Sequence, residues 1–107
     1  PYTLLGDAHM GQGEHAEAIG YYQQAIHLTR VNGGLKSPEQ VEIVYREADA
    51  LRALGQLQEA NSREEYAFHI ASANAPDRDE SLLPALYRLA DWYVALGNPF
   101  AARELYA

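Results

Sequence analysis

Apolar residues in this chain recur at spacings of three and four, and nowhere in the strict alternation of a strand. Val41, Val44, Ala48, Leu51 and Leu54 form one such series. Leu86, Leu89, Ala90, Tyr93 and Leu96 form another. That period puts each series on one face of a helix. The pattern predicts helices over residues 4–12, 14–31, 41–54, 57–73, from about 83 to 96, and from 100 onward. Turn residues separate them. Asn32-Gly33-Gly34 ends the second helix, because glycine accepts the left-handed cap. Ser37-Pro38-Glu39-Gln40 predicts a Ser N-cap, Pro in the first turn and a capping box closed by Gln40. Gly55-Gln56, Pro76-Asp77 and Gly97-Asn98-Pro99 break the chain again. Pro84 belongs in a first helical turn, where its missing N–H is tolerated.

A longer period lies over the helical one. Gly13, Gly55 and Gly97 are evenly spaced, as are Ala18, Ala60 and Ala102, and Asp7, Asp49 and Asp91, all at one interval of 42. Self-similarity at such a period marks a solenoid of stacked units. Its core lies between neighbouring units, and a long concave surface is left for partners. Gly6, Ala48 and Ala90 recur on the first helix of each unit. With the three alanines of the second helix, they predict close antiparallel packing. A bulkier side chain there is expected to cost roughly 1–3 kcal/mol. The expected fold is all-α: a right-handed superhelical array of antiparallel helix pairs, one domain divided at roughly 1–36, 37–78 and 79–107.

Charge and composition narrow the function. Fifteen acidic residues face eight basic ones, giving a net charge of -7. Such a surface repels phosphate backbones, so nucleic acid is not an expected partner. There is no cysteine, which removes disulfides and thiolate chemistry but leaves the compartment open, with the cytoplasm slightly favoured. No apolar run reaches the ~18 residues of a membrane span. His9, His15, His27 and His69 include no i, i+4 pair of a helical metal site. No nucleophile triad, phosphate loop or HExxH stretch is present. No enzyme activity and no cofactor are expected. Pro1 at the start and Leu105-Tyr106-Ala107 inside a helical pattern suggest a piece of a longer chain.

The first unit, with Tyr2, Leu5-Gly6, His9, Gly13, Ala18, Tyr22 and Ala25, resembles the tetratricopeptide repeat. The third matches through Leu86, Leu89-Ala90, Tyr93, Gly97, Ala102 and Tyr106. The second keeps Val44, Ala48, Leu51, Gly55, Ala60 and Ala67, but places Glu47 and Glu64 where Leu and an aromatic belong. We therefore expect the second unit to pack least well, with both carboxylates reaching solvent or a cation from Arg46, Arg63 or Arg88. The usual repeat is about 34 residues long. The longer period of this chain, with Gly34-Leu35-Lys36-Ser37-Pro38-Glu39 between units, is similar to the repeat of the kinesin light chain class.

The resemblance implies a binding groove lined by the first helix of each pair, at Thr3, Asp7, Met10, Glu42, Tyr45, Asp49, Arg52, Tyr87, Asp91 and Val94. Ionised Asp can only accept hydrogen bonds, so the Asp ladder favours peptide N–H groups and basic side chains. The plain alternative is three solvated charges, with Asp49 paired to Arg52. Tyr45 and Tyr87 precede Asp49 and Asp91 by four positions and share their helix face. They either offer a ring to a cationic side chain or pack between helices. Trp92, where other units have Ala8 and Ala50, is expected to cover the end of the stack or meet a following unit. Beyond it, Phe100 and Leu105 suggest an apolar end that docks on another copy or on the rest of a longer chain. The expected function is a scaffold that holds an extended, basic peptide or partner segment in an acidic concave groove. The alternative is a structural or regulatory arm of a larger signalling protein or enzyme.

Overall fold

Three glycines set the architecture. Gly13, Gly55 and Gly97 adopt φ of 76, 77 and 78°, a region that costs any residue with a Cβ. Each turn is closed by the same pair of backbone bonds. At the first, Gly13 N donates to Met10 O at 3.1 Å and Glu14 N to His9 O at 2.8 Å. Gly55 and Gln56 repeat the pair on Arg52 and Leu51, and Gly97 and Asn98 on Val94 and Tyr93. These are Schellman motifs, which satisfy the last carbonyls of a helix as the chain reverses.

The computed structural model describes residues 1–75 and 80–98. Its helices are α1 (Tyr2–Gly11), α2 (His15–Gly33), α3 (Gln40–Ala53), α4 (Leu57–Asn74) and α5 (Leu83–Ala95), the last preceded by a 3-10 turn, Glu80–Leu82. Pro84 stands in the first turn of α5. The described residues contain no strand. The chain is an all-α array of antiparallel helix pairs, α1 with α2 and α3 with α4, followed by the first helix of a third pair. The expected helix from residue 100, with Ala102, Phe100 and Leu105, lies outside the described residues.

The recurring small residues sit where helices meet. A Cβ on Gly6 would lie 2.5 Å from a ring carbon of Tyr22, closer than atoms can approach. Ala48 and Ala90, its equivalents, are buried, as are Ala18 and Ala60. The core has two parts. One gathers Ala18, Tyr22, Ala25, Ile26, Ile43, Val44 and Ala67, and the other Leu51, Ala60, Leu89 and Trp92.

Three expectations are corrected here. The capping box does not form: no side chain caps α3, and Ser37 Oγ donates to Glu39 instead. Gln40, fully buried, ties the inter-pair segment to the core; its Nε2 donates to Leu35 O at 2.9 Å, and its Oε1 accepts from Arg30 Nε at 3.0 Å. The second unit is not loosely packed. Among the described residues it supplies half of the buried apolar side chains, including Ile43, Val44, Leu51 and Ile70. Trp92 does not cover an end; it is buried, and its Nε1 donates to Asn61 Oδ1 at 2.8 Å.

Candidate functional site

Each first helix buries one side and thereby selects the residues it presents. On α3, Ile43, Val44, Glu47, Ala48, Ala50 and Leu51 are buried. Glu42, Asp49 and Arg52 are left exposed, with Tyr45 and Arg46 half-buried. On α5, burial of Ala85, Leu89, Ala90 and Trp92 leaves Tyr87, Asp91 and Val94 exposed. On α1, Thr3, Asp7 and Met10 are half-buried. Met10 packs against the first core cluster, so it serves packing as much as surface.

The Asp row is not a uniform acidic stripe. Asp7 accepts a 2.6 Å hydrogen bond from Tyr22 OH and faces Arg46 Nη1 at 3.3 Å. Its charge, with burial as the larger cause, pushes the Tyr22 hydroxyl above its ordinary pKa. Asp49 accepts from Arg88 Nη2 at 3.0 Å. It is therefore paired to the next first helix and not to Arg52, whose guanidinium lies 5.4 Å from the Trp92 ring centroid. Asp91 has no hydrogen-bond or ion-pair partner among the described residues. Arg46 and Arg88 share the period of the glycines, and each follows the Asp it meets by the same interval. This repeated latch was missed in the sequence, although the glycines carry the same signal.

Arg88 makes the densest contacts of the face. Its Nε donates to both Glu64 oxygens, at 2.9 and 3.1 Å. Its Nη2 also reaches Tyr45 O at 3.3 Å, and its guanidinium lies 4.4 Å from the centre of the Tyr45 ring. Glu64 is buried. Burial pushes its carboxyl above the ordinary value, opposed by the Arg88 hydrogen bond and charge. Glu47 meets Arg63 at 3.8 Å. Of the three expected cations, Arg63 and Arg88 thus hold the buried carboxylates, and Arg46 does not.

Two clefts flank Arg88. One of about 500 Å³ is lined by Glu42, Tyr45, Arg46, Asp49 and Pro84, among others. The other, about 330 Å³, brings Asp49, Arg52 and Asp91 together beside Trp92. Of the expected groove residues, Glu42, Tyr45 and Asp49 line the first cleft, and Asp49, Arg52 and Asp91 the second. Asp7, Met10, Tyr87 and Val94 line neither cleft. No group of three or more His, Asp or Glu among the described residues is placed to hold a metal ion. No described helix is long and apolar enough to cross a membrane.

Comparison with known proteins identifies the repeat. Residues 1–30 and residues 84–107 each match a family model described as tetratricopeptide repeat. The fold matches, with a TM-score of 0.76 and 25% identity, a crystal structure of nearly identical TPR-like repeats assigned to a putative kinesin light chain of Podosopora anserina. That match covers 98% of this chain and 50% of the other, so the chain spans half the length of the solved relative. A search of curated proteins found no match.

Proposed function

The chain belongs to the tetratricopeptide-repeat family, whose repeats mediate protein–protein interaction, and from that premise we propose that it holds an extended, basic segment of a partner along α1, α3 and α5. Proteins of this family are typically non-enzymatic scaffolds, and the proposal requires no chemistry and no cofactor. The ligand runs across three units, divided at roughly 1–36, 37–78 and 79–107.

One observation supports the basic preference more than any other. Tyr45 and Asp49 already receive a guanidinium, that of the chain's own Arg88. The pair one period later, Tyr87 and Asp91, has the same spacing on α5 and is exposed, Tyr87 by 54%. An arginine of a partner would find there the exposed Asp91 carboxylate, four positions after Tyr87 on the same helix. Cation–π contact and a charge-assisted hydrogen bond act together at such a site. The net charge of -7 draws a basic segment toward the face.

Fluorescence anisotropy with an extended arginine-containing peptide tests this. Asp91→Asn and Tyr87→Ala should each weaken binding about fivefold to tenfold, with the Asn variant also less sensitive to salt. An acidic peptide of equal length should not bind. Equal affinity of wild type and both variants would refute the reading. The Asp7–Arg46 and Asp49–Arg88 latches favour a second reading, a structural arm, because they commit charge to stacking. Absence of any peptide binding would support that one.

A further inference from the structure

One cation of the face stays out of the latches that tie unit to unit. Arg52 stands one period after Met10 and one before Val94, so the packing of the repeat asks for no guanidinium at its position. It is exposed and has no hydrogen-bond or ion-pair partner among the described residues. Asp49, three positions earlier on α3, is within reach by helix geometry, but it accepts from Arg88 instead.

Arg52 is nonetheless held in place. Its guanidinium lies 5.4 Å from the centre of the Trp92 ring. That ring is a fixed support: Trp92 is buried, packs with Leu51, Ala60 and Leu89, and donates its Nε1–H to Asn61 Oδ1 at 2.8 Å. An arginine resting on an aromatic face keeps its N–H fork for a planar acceptor. Because the stack already orders it, less side-chain freedom is lost when a ligand arrives.

The cleft of about 330 Å³ beside Trp92 is lined by Arg52 and by Asp91. Asp91 is exposed and equally uncommitted among the described residues. The other charges of the cleft satisfy one another, since Arg88 donates to both Glu64 and Asp49. Two free charges of opposite sign thus face one cleft, a cation from α3 and a carboxylate from α5. The complementary segment presents a carboxylate to α3 and a cation to α5.

We propose that Arg52 sets the specificity of the peptide groove by selecting an acidic side chain next to the arginine that Asp91 takes. This deepens the peptide-binding reading and rests on it. Residues two apart in an extended segment point to the same side. The recognised motif is therefore a basic segment containing arginine and glutamate or aspartate separated by one residue. The fork of Arg52 suits a carboxylate in particular.

Fluorescence anisotropy with four peptides of one common basic sequence tests this. They contain Arg-Ser-Glu, Arg-Ser-Gln, Glu-Ser-Arg or Gln-Ser-Arg at the same place, so both chain directions are covered. In one direction the Glu peptide should bind about fivefold more tightly than its Gln counterpart, the worth of a well-placed exposed ion pair. The net charge of -7 works against any added carboxylate, so a gain reports a local cation. Arg52→Met should abolish the preference and leave both the melting temperature and the affinity for the Gln peptide unchanged. Arg52→Lys, which keeps the charge without the fork, should retain part of it. The comparison of peptides on the wild-type chain needs no variant and decides even if Arg52→Met fails to fold. Equal binding of Glu and Gln peptides in both directions, or a preference that survives Arg52→Met, would overturn this inference and leave the basic-peptide reading standing. Failure of all four peptides to bind would overturn both.

Discussion

Removing Arg88 should do more damage than removing any other charged side chain of the described face. Arg88→Met keeps most of the length and apolar stem and deletes the guanidinium. Glu64, 4% exposed, would lose both of its hydrogen bonds to that group. Breaking a buried pair from one side costs about 3–5 kcal/mol. Solvent reaches the Arg88 side, whose side chain is 34% exposed, so the lower end, about 3 kcal/mol, applies. A chain of this size has a total stability of roughly 5–15 kcal/mol, and a loss of about 3 kcal/mol should lower the melting temperature by about 12–20 °C. The pH dependence separates this cause from lost packing. Burial raises the Glu64 carboxyl above its ordinary value even with Arg88 present; without Arg88 it rises further. An acid with a raised folded pKa binds more protons folded than unfolded, so it destabilises as pH rises through the interval between the unfolded and the folded value. The deficit of Arg88→Met should therefore be largest at neutral pH and shrink as pH falls toward 4.5, the ordinary value of the carboxyl. Thermal melts followed by circular dichroism at several pH values would show this. Glu64→Gln added to Arg88→Met should recover much of the loss at neutral pH. A deficit below about 1 kcal/mol, or one that neither acid nor Glu64→Gln relieves, would refute the reasoning.

Gly55→Ala should destabilise by about 1–2 kcal/mol, because its φ of 77° is strained for any Cβ-bearing residue; urea unfolding checks this, and a neutral result would show that the turn relaxes. Gly6→Ala should cost roughly 1–3 kcal/mol through overpacking against Tyr22. Gly20→Ala, inside α2 with nothing within 4 Å of the new Cβ, should instead raise the melting temperature, by about 0.5–1 kcal/mol of added stability. Asp49→Asn should weaken the α3–α5 latch, since Asp49 is paired to Arg88; a peptide-binding test therefore belongs at Asp91, whose replacement by Asn should leave the melting temperature unchanged.

The elements and their turns were legible in the residues because the forces behind them are local. A glycine that ends a helix, a proline in a first turn and an apolar series at helical period act within a few positions, and their recurrence gives three readings of one signal. The Ser37–Gln40 pattern points to a capping box that does not form, because Gln40 prefers a buried bond to Leu35 O and Arg30 over the helix terminus. Only the surrounding core offers that choice. Trp92 departs from expectation for a related reason: its size is visible in the sequence, but not the space beside Leu51 and Ala60 that receives it.

The sequence by itself determined that helices form, where they reverse, and which small residues let them approach, because each follows from backbone sterics and a local period. Tertiary structure alone decided which charges meet. Asp7 finds its partner on the next first helix in Arg46, and Asp49 finds its own one helix further in Arg88, while Glu47 and Glu64 turn to Arg63 and Arg88. Arginine side chains are long enough to reach several carboxylates, so composition leaves these pairings open. The offset between stacked helices closes the choice, and with it decides that two rungs of the Asp row hold the array together while Asp91 keeps an exposed carboxylate.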